Sequence, residues 1–207
     1  MKTASKLLTL AALALFTCVP QPARATVLNF DDLPNPGDLA PAVPDGYGGI
    51  LWSSGGWSYF AEEQFPYTAH SGSARAFSYN LDNRFFFSGA DVVFGGAWFS
   101  GGSSYDDGTP TNDELTLDLY WHGTLVAQSS TLKVSATPTF LASGYLGPVD
   151  AVGITETVVR PENTDFVMDD VTFTAAPEPS TFGPILLTLL APVMLRLRTS
   201  FTARRHS

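Results

Sequence analysis

Residues 115–121 of the chain read Leu115-Thr116-Leu117-Asp118-Leu119-Tyr120-Trp121. Apolar residues occupy every second position of this stretch, which predicts a β-strand with one buried face. His122-Gly123 follows, and the chain resumes as Thr124-Leu125-Val126-Ala127. A two-residue connection of this kind predicts a hairpin turn in which Gly123 takes a positive φ. The stretch therefore predicts an antiparallel hairpin.

The same alternation continues on both sides of this hairpin. No part of 26–176 keeps apolar residues at helical spacing for three turns. Further strands are predicted at 26–30, 48–53, 73–79, 83–88, 90–99, 124–134, 138–145, 149–155 and 165–174. About ten short strands separated by turns favour an all-β fold, a two-sheet antiparallel sandwich of the jelly-roll type. The large aromatic residues expected in its core are Trp52, Phe77, Trp98 and Trp121.

Charge divides the chain into three segments. The 207 residues have a formal net charge of −9. Segments 1–25 and 177–207 are basic and apolar, whereas 26–176 hold four Lys/Arg against 19 Asp/Glu, which leaves −15. We expect one acidic domain at 26–176, large enough for its own core, between two targeting segments. Four scattered cations give no positive footprint, so nucleic acid is excluded as a partner.

The N-terminal segment 1–25 has the features of a secretory signal peptide. Lys2 and Lys6 precede the apolar run 7–19, and Ala23-Arg24-Ala25 is a small-x-small site. Signal peptidase is therefore predicted to cleave between Ala25 and Thr26. The alternatives are a lipoprotein processed at Cys18, which the bulky Phe16 disfavours, and an uncleaved anchor. Because Cys18 is the only cysteine, the cleaved chain has no disulfide and no thiolate site.

The C-terminal segment 177–207 combines three features in a fixed order. It begins with Pro177-Glu178-Pro179-Ser180-Thr181-Phe182, continues as an apolar stretch over 182–197, and ends in an arginine cluster. The stretch 182–197 predicts a helix that is marginally long enough to enter a membrane. The arginines favour a cytoplasmic end. Together these features resemble the PEP-CTERM sorting signal.

The resemblance to PEP-CTERM proteins implies a delivery pathway. In that family an exosortase, a membrane-embedded cysteine transpeptidase, processes the signal in Gram-negative bacteria that make exopolysaccharide. The resemblance implies an exosortase partner, transient membrane insertion, and a place at the cell envelope, the cell surface or the extracellular matrix of a biofilm. Pro184 and Pro192 depart from the family's usual helix and would kink it. A plain C-terminal anchor is the alternative.

Short motifs along the body carry a second resemblance. They are LNFDDL at 28–33, VPDGYGGILWS at 43–53, GTLV at 123–126, YLG at 145–147 and FVMDDVTF at 166–173. In this order they resemble a group of uncharacterised secreted bacterial and fungal jelly-roll proteins. The resemblance implies a galactose-binding-like or carbohydrate-module-like sandwich, and it implies no activity, because fold alone does not assign one.

Four acids near the two chain ends form a candidate calcium site. Strict alternation places Asp169 on the same face as Val167, Val171 and Phe173, where a carboxylate needs compensation for its burial. In many carbohydrate-module jelly rolls, acids near the terminal strands share a structural Ca²⁺, and calcium takes six to eight oxygen ligands. The candidate ligands are Asp31, Asp32, Asp169 and Asp170. The alternatives are that Asp169 is solvated at a strand end or accepts backbone N–H bonds.

Aromatic residues give a candidate sugar-binding surface. Seven aromatics lie in 47–67, and an exposed ring can stack on the face of a sugar. Trp57 and Tyr59 lie beside the turn Ser54-Gly55-Gly56, and Tyr120 is on the polar face of its strand, so these three are the surface candidates for exopolysaccharide binding. The alternative is that the aromatics form the core.

Catalysis has weak support in the sequence. His70 and His122 fall in predicted loops and are expected to be surface residues, and no nucleophile-elbow motif is present. We expect a secreted, non-enzymatic sandwich protein that binds extracellular polysaccharide. A glycan-active hydrolase and a purely structural matrix component are the alternatives.

Overall fold

A computed structural model describes residues 24–53, 56–78, 83–102, 113–157 and 166–176. Within these ranges the chain forms twelve strands and one short 3₁₀ turn, Tyr47–Gly49. The strands are β1 (Thr26–Leu28), β2 (Ile50–Leu51), β3 (Trp57–Phe60), β4 (Arg75–Ser78), β5 (Phe85–Phe87), β6 (Val92–Gly101), β7 (Glu114–Trp121), β8 (Thr124–Gln128), β9 (Leu132–Lys133), β10 (Thr139–Ala142), β11 (Ala151–Thr157) and β12 (Phe166–Ala175). The all-β prediction is confirmed.

Two antiparallel sheets form the predicted sandwich. Sheet I has the strand order β10-β6-β12-β4-β3, with β1 also paired to β12. Sheet II has the order β2-β5-β11-β7-β8, with β9 also paired to β7. The first and last strands are neighbours, because Thr26 lies opposite Phe173 and Leu28 lies opposite Val171.

The inner faces of the two sheets form one hydrophobic core. On β7, Leu115, Leu117 and Leu119 are fully buried, as their alternation predicts. Trp52 is also fully buried, and its ring lies 5.2 Å from that of Phe85 between centroids. Edge-to-face and tilted ring pairs of this kind add about 0.5–1.5 kcal/mol each beyond area burial.

The predicted hairpin between β7 and β8 is confirmed. Trp121 lies opposite Thr124, and the two turn residues both have positive φ, 50° at His122 and 74° at Gly123. Two consecutive positive φ values define the type I′ turn, whose twist matches that of the flanking strands.

Strand β12 contains a bulge that the sequence pattern did not reveal. Asp169 lies opposite Trp98, but Thr172 lies opposite Gly96, so β12 has one extra residue over this interval. Asp170 has a φ of 46°, in the left-handed region. An extra residue of this kind reverses the alternation of faces beyond it.

The bulge corrects the predicted face of Asp169. Met168 and Val171 both belong to the core cluster although they are three positions apart, an odd spacing that a regular strand would place on opposite faces. Asp169 therefore lies on the outer face of sheet I, and the prediction that it shares a face with Val171 and Phe173 is wrong.

The targeting segments fall almost wholly outside the described residues. Those residues include Arg24, Ala25 and Ala176, but not the rest of 1–25, the sorting motif or the apolar stretch 182–197. In the part of the chain that is described, no helix has the length and apolar character needed to cross a membrane.

Candidate functional site

The connection between β3 and β4, residues 61–74, covers the middle of the outer face of sheet I. We call it the strap. Ser100 on β6 donates its hydroxyl to the Thr68 carbonyl at 2.6 Å. Arg75 is 2% exposed, and its guanidinium donates to the carbonyls of Ser73 at 2.8 Å and Glu62 at 2.5 Å. Burial lowers the pKa of Arg75 to about 10. Both ends of the strap are thus fastened to the sheet.

Asp169 is the buried acid beneath the strap. It is 2% exposed, and its Oδ2 accepts the backbone N–H groups of His70 at 2.8 Å and Ser71 at 2.9 Å. Its Oδ1 accepts the backbone N–H of Asp170 at 2.7 Å. Burial raises its pKa to about 7, although these hydrogen bonds favour the ionised form. The compensation that its burial requires therefore comes from backbone amides.

The neighbouring Asp170 holds the side chains of the same two strap residues. Its Oδ1 accepts the Ser71 hydroxyl at 2.9 Å, and its Oδ2 lies 2.5 Å from Nδ1 of His70. The His70 ring stacks on Trp98 at 3.5 Å between centroids and 11° between planes. Because Ser71 and His70 both bind the carboxylate, the serine hydroxyl is directed at Asp170 and not at the imidazole. In a pair of nucleophile and general base, the serine hydroxyl would instead donate to the imidazole.

Asp31 fastens the far end of the strap. Its Oδ1 accepts the backbone N–H groups of Ser73 at 2.8 Å and Ala74 at 2.9 Å. A Cβ added to Gly72 would lie 1.9 Å from Oδ2 of Asp31, so only glycine fits there. Asp32 instead accepts the Tyr47 hydroxyl at 2.5 Å.

The four predicted calcium ligands are thus placed at the strap and at β1. Asp31, Asp169 and Asp170 all fasten the strap, whereas Asp32 binds Tyr47. Among the described residues, no group of three or more His, Cys, Asp or Glu side chains is arranged to hold a metal ion. The calcium site stays a prediction.

Two of the three predicted sugar-binding aromatics lie in the core. Trp57 is 1% exposed and packs edge-on against Trp52 and Phe85, with centroid distances of 5.8 and 6.0 Å. Tyr59 is 4% exposed and donates its hydroxyl to the Pro34 carbonyl at 2.8 Å. The prediction that they form a surface was wrong, because the chain enters β3 directly after the turn at Gly56.

The third candidate, Tyr120, lies on the outer face of sheet II. Strand register places it in a line of side chains that crosses five adjacent strands, which we call the apolar row. Its members are Leu51, Phe86, Ala151, Tyr120 and Leu125, each opposite the next. Four steps of about 4.8 Å between strands give the row a length of about 19 Å.

The apolar row is open to solvent at Phe86 and at both ends. Leu51 is 42%, Phe86 36% and Leu125 46% exposed. Ala151 is 1% exposed and forms the floor between Phe86 and Tyr120. Sequence reasoning missed Phe86, although its place between the buried Phe85 and Phe87 was a signal for an outward-facing ring.

Polar side chains flank the apolar row along β7, β8 and β11. The carboxylate of Asp118 accepts the Gln128 amide at 2.7 Å and the Thr155 hydroxyl at 2.6 Å. The guanidinium of Arg84 lies 4.2 Å from the centroid of the Tyr120 ring. Gly153 on β11 is close to both side chains. A Cβ added to it would lie 3.4 Å from Cε2 of Tyr120 and 3.9 Å from Nε of Arg84. The row therefore has hydrogen-bonding groups along one side.

The remaining predicted core aromatics differ in their burial. Trp52 is in the core, as predicted, whereas Phe77 and Trp98 are half-buried and lie outside the core cluster, so their placement in the core was wrong. Trp121, the last residue of β7, is 39% exposed. Its placement in the core was a wrong prediction.

Comparison with known proteins adds a fold likeness only. No family model matches the chain, and no curated protein matches it. One similar solved structure is a DUF4465 family protein from Bacteroides ovatus, at 11% identity and a TM-score of 0.44, covering 74% of this chain and 100% of that one. Another is a carbohydrate binding module of family 29, at 14% identity and a TM-score of 0.35, covering 75% and 90%. At these TM-scores neither likeness carries a functional argument.

Proposed function

We propose that this chain is a secreted, non-enzymatic β-sandwich protein that binds a polysaccharide along the apolar row. The observation that carries the proposal is the contrast between the two outer faces. The strap covers the middle of the outer face of sheet I, where Asp169 beneath it is 2% exposed. On sheet II, Leu51, Phe86 and Leu125 remain exposed in one line. Exposed apolar side chains aligned across one sheet in this way are a candidate interaction site.

The chemistry of the row matches that of a sugar chain. The C–H face of a sugar ring can pack on Phe86 and Tyr120, while its hydroxyl groups reach the polar groups on one side of the row. Gln128 and Thr155 are exposed, and both are held in place by hydrogen bonds to the buried carboxylate of Asp118. A row of about 19 Å suits several consecutive sugar rings, which favours a chain over a single sugar.

Charge favours a neutral polysaccharide. The domain at 26–176 has a net charge of −15, and its field repels acidic polymers. Two of its four cations are already engaged, since Arg75 is buried and Arg84 lies over Tyr120. An acidic polysaccharide would therefore meet repulsion without a compensating basic surface.

The experiment is affinity electrophoresis and calorimetry of the protein against neutral glucans, galactans and mannans and against acidic uronate polymers. We expect saturable binding of at least one neutral polymer and none of the acidic ones. Failure of every polymer to bind would contradict the proposal. Release of reducing sugar from a bound polymer would show that the protein is a hydrolase and would contradict the non-enzymatic part of the proposal.

Delivery to the cell surface is a second part of the proposal. Its support is the signal peptide pattern of 1–25 and the PEP-CTERM-like order of features in 177–207. Signal peptidase would release the chain at Thr26, and an exosortase would act on the motif 177–182. Deletion of 177–207 should leave a soluble protein outside the inner membrane. A deletion variant that fractionates with membranes like the full chain would contradict this part.

A structural Ca²⁺ bound by Asp31, Asp32, Asp169 and Asp170 is a separate proposal. Its support is the acidic charge of the domain and the pairing of β1 with β12. An ion that binds only the folded state stabilises it by about 2.7 kcal/mol at a hundredfold excess over Kd. Millimolar Ca²⁺ should raise the thermal midpoint by several degrees more than Mg²⁺ does, and Asp169→Ala should remove the difference. Equal effects of the two ions would exclude the site.

A further inference from the structure

An exposed aromatic pair lies at the end of the sandwich, at the β7–β8 turn. Trp121 is 39% exposed, and the side chain of His122 is 69% exposed. Their ring centroids are 4.7 Å apart, with 35° between the planes. Because consecutive strand residues point to opposite faces, Trp121 and Tyr120 belong to different surfaces. The pair is therefore separate from the apolar row.

Two carboxylates from other segments fix this pair in place. Asp91, just before β6 in sheet I, accepts the Trp121 indole N–H at 2.9 Å. Asp150, just before β11 in sheet II, accepts the His122 backbone N–H at 2.8 Å and lies 3.4 Å from its Nδ1. The rings are thus ordered by the protein itself, which lowers the entropy cost of binding a ligand.

We propose that Trp121, His122, Asp91 and Asp150 form a second carbohydrate site, which takes a single neutral sugar ring such as the end of a chain. The indole face packs on the C–H face of the ring. The carboxylates of Asp91 and Asp150, each bonded through Oδ2, offer Oδ1 to sugar hydroxyls. The two carboxylates also repel a uronic acid, so the sugar is uncharged.

The geometry limits this site to one sugar ring. Trp121 and His122 form one platform at a turn, whereas the apolar row crosses five strands. A protein with both sites contacts two polysaccharide chains at once, and linking two sites raises the apparent affinity for a polymer network without any new contact. The inference does not depend on the apolar row.

The test uses the indole N–H signals of the four tryptophans in NMR spectra of the ¹⁵N-labelled protein. The probes are the methyl glycosides of glucose, galactose and mannose, with methyl glucuronide as the charged control. We expect at least one neutral glycoside to shift the Trp121 signal saturably. The buried Trp52 and Trp57 should not respond, and the glucuronide should have no effect.

Two conservative variants and one control complete the test. His122→Asn keeps a residue that tolerates positive φ but removes the ring, and Asp91→Asn keeps an acceptor for the indole. Each should weaken the binding of the neutral methyl glycoside at Trp121 about tenfold. Phe86→Ala in the apolar row should leave this glycoside binding unchanged. The site is overturned if no neutral glycoside shifts the Trp121 signal, or if both variants bind like the wild type. A wild-type protein that shows the Trp121 shift but binds no polymer would contradict the apolar row and leave the second site in place.

Discussion

Asp169 and His70 are 99 residues apart in the chain, yet the carboxylate of the first accepts the backbone N–H of the second at 2.8 Å. This bond belongs to the set that fastens the strap over sheet I. The strap covers the middle of that sheet's outer face, at β6 and β12, whereas Phe140 on the neighbouring strand β10 stays exposed. The bond therefore fixes a loop over the centre of sheet I, on the side of the sandwich opposite the apolar row.

Asp169 should make stability fall as the pH rises. Burial raises its pKa from 3.8 to about 7, so the folded state keeps a proton that the unfolded chain releases between about pH 4 and 7. The contribution of this group to the free energy of unfolding therefore decreases across that window and is constant above it. His70, Asp170 and Arg75 lie near it and are the same in the wild type and in the variant used as the check.

The check is urea unfolding of the wild type and Asp169→Asn from pH 4.5 to 8. Asparagine does not titrate, so the difference in unfolding free energy between the two proteins should change steadily up to about pH 7. A difference that is constant with pH would show that Asp169 is not held in the protonated form.

Gly72→Ala should destabilise the protein by about 1–3 kcal/mol more than Gly37→Ala does. Both glycines have positive φ, 49° and 59°, so the backbone strain of the two substitutions is matched. The two sites differ in the room available for a methyl group. A Cβ added at Gly72 would clash with the Asp31 carboxylate, whereas no atom lies within 4 Å of a Cβ added at Gly37. Equal midpoints in urea would mean that Asp31 does not hold the strap closely.

Trp57→Ala should cost about 3–5 kcal/mol of stability, the usual cost of emptying a large core site. Trp121→Ala should cost much less, since Trp121 is 39% exposed and Trp57 only 1%. Chemical denaturation of both variants tests the reassignment of Trp57 from surface to core. A smaller loss at Trp57 than at Trp121 would be inconsistent with the packing described above.

Local patterns predicted most of the strands, and they failed where long-range register decides the outcome. Alternation placed β7, and His122-Gly123 placed its turn. Strand β3 was missed because four residues after a glycine turn are too few to show a period. The bulge at Asp169 and Asp170 has no local signal, since two adjacent acids fit a regular strand equally well.

The candidate site could be predicted only in part for the same reason. Tyr120 was recognised from the polar face of a single strand. The apolar row needs the register of five strands that are distant in sequence, and no local pattern specifies it. The strap depends on hydrogen bonds such as that from His70 to Asp169, which span about half the chain.

The most direct test of the polysaccharide face compares Phe86→Ala with Phe140→Ala. The two rings are 36% and 38% exposed, but Phe86 is in the apolar row on sheet II and Phe140 lies beside Trp98 on sheet I. Calorimetry should use the neutral polysaccharide that binds the wild type most tightly. The account predicts that Phe86→Ala weakens binding about tenfold and that Phe140→Ala leaves it unchanged. Equal losses in the two variants, or a loss only in Phe140→Ala, would contradict it.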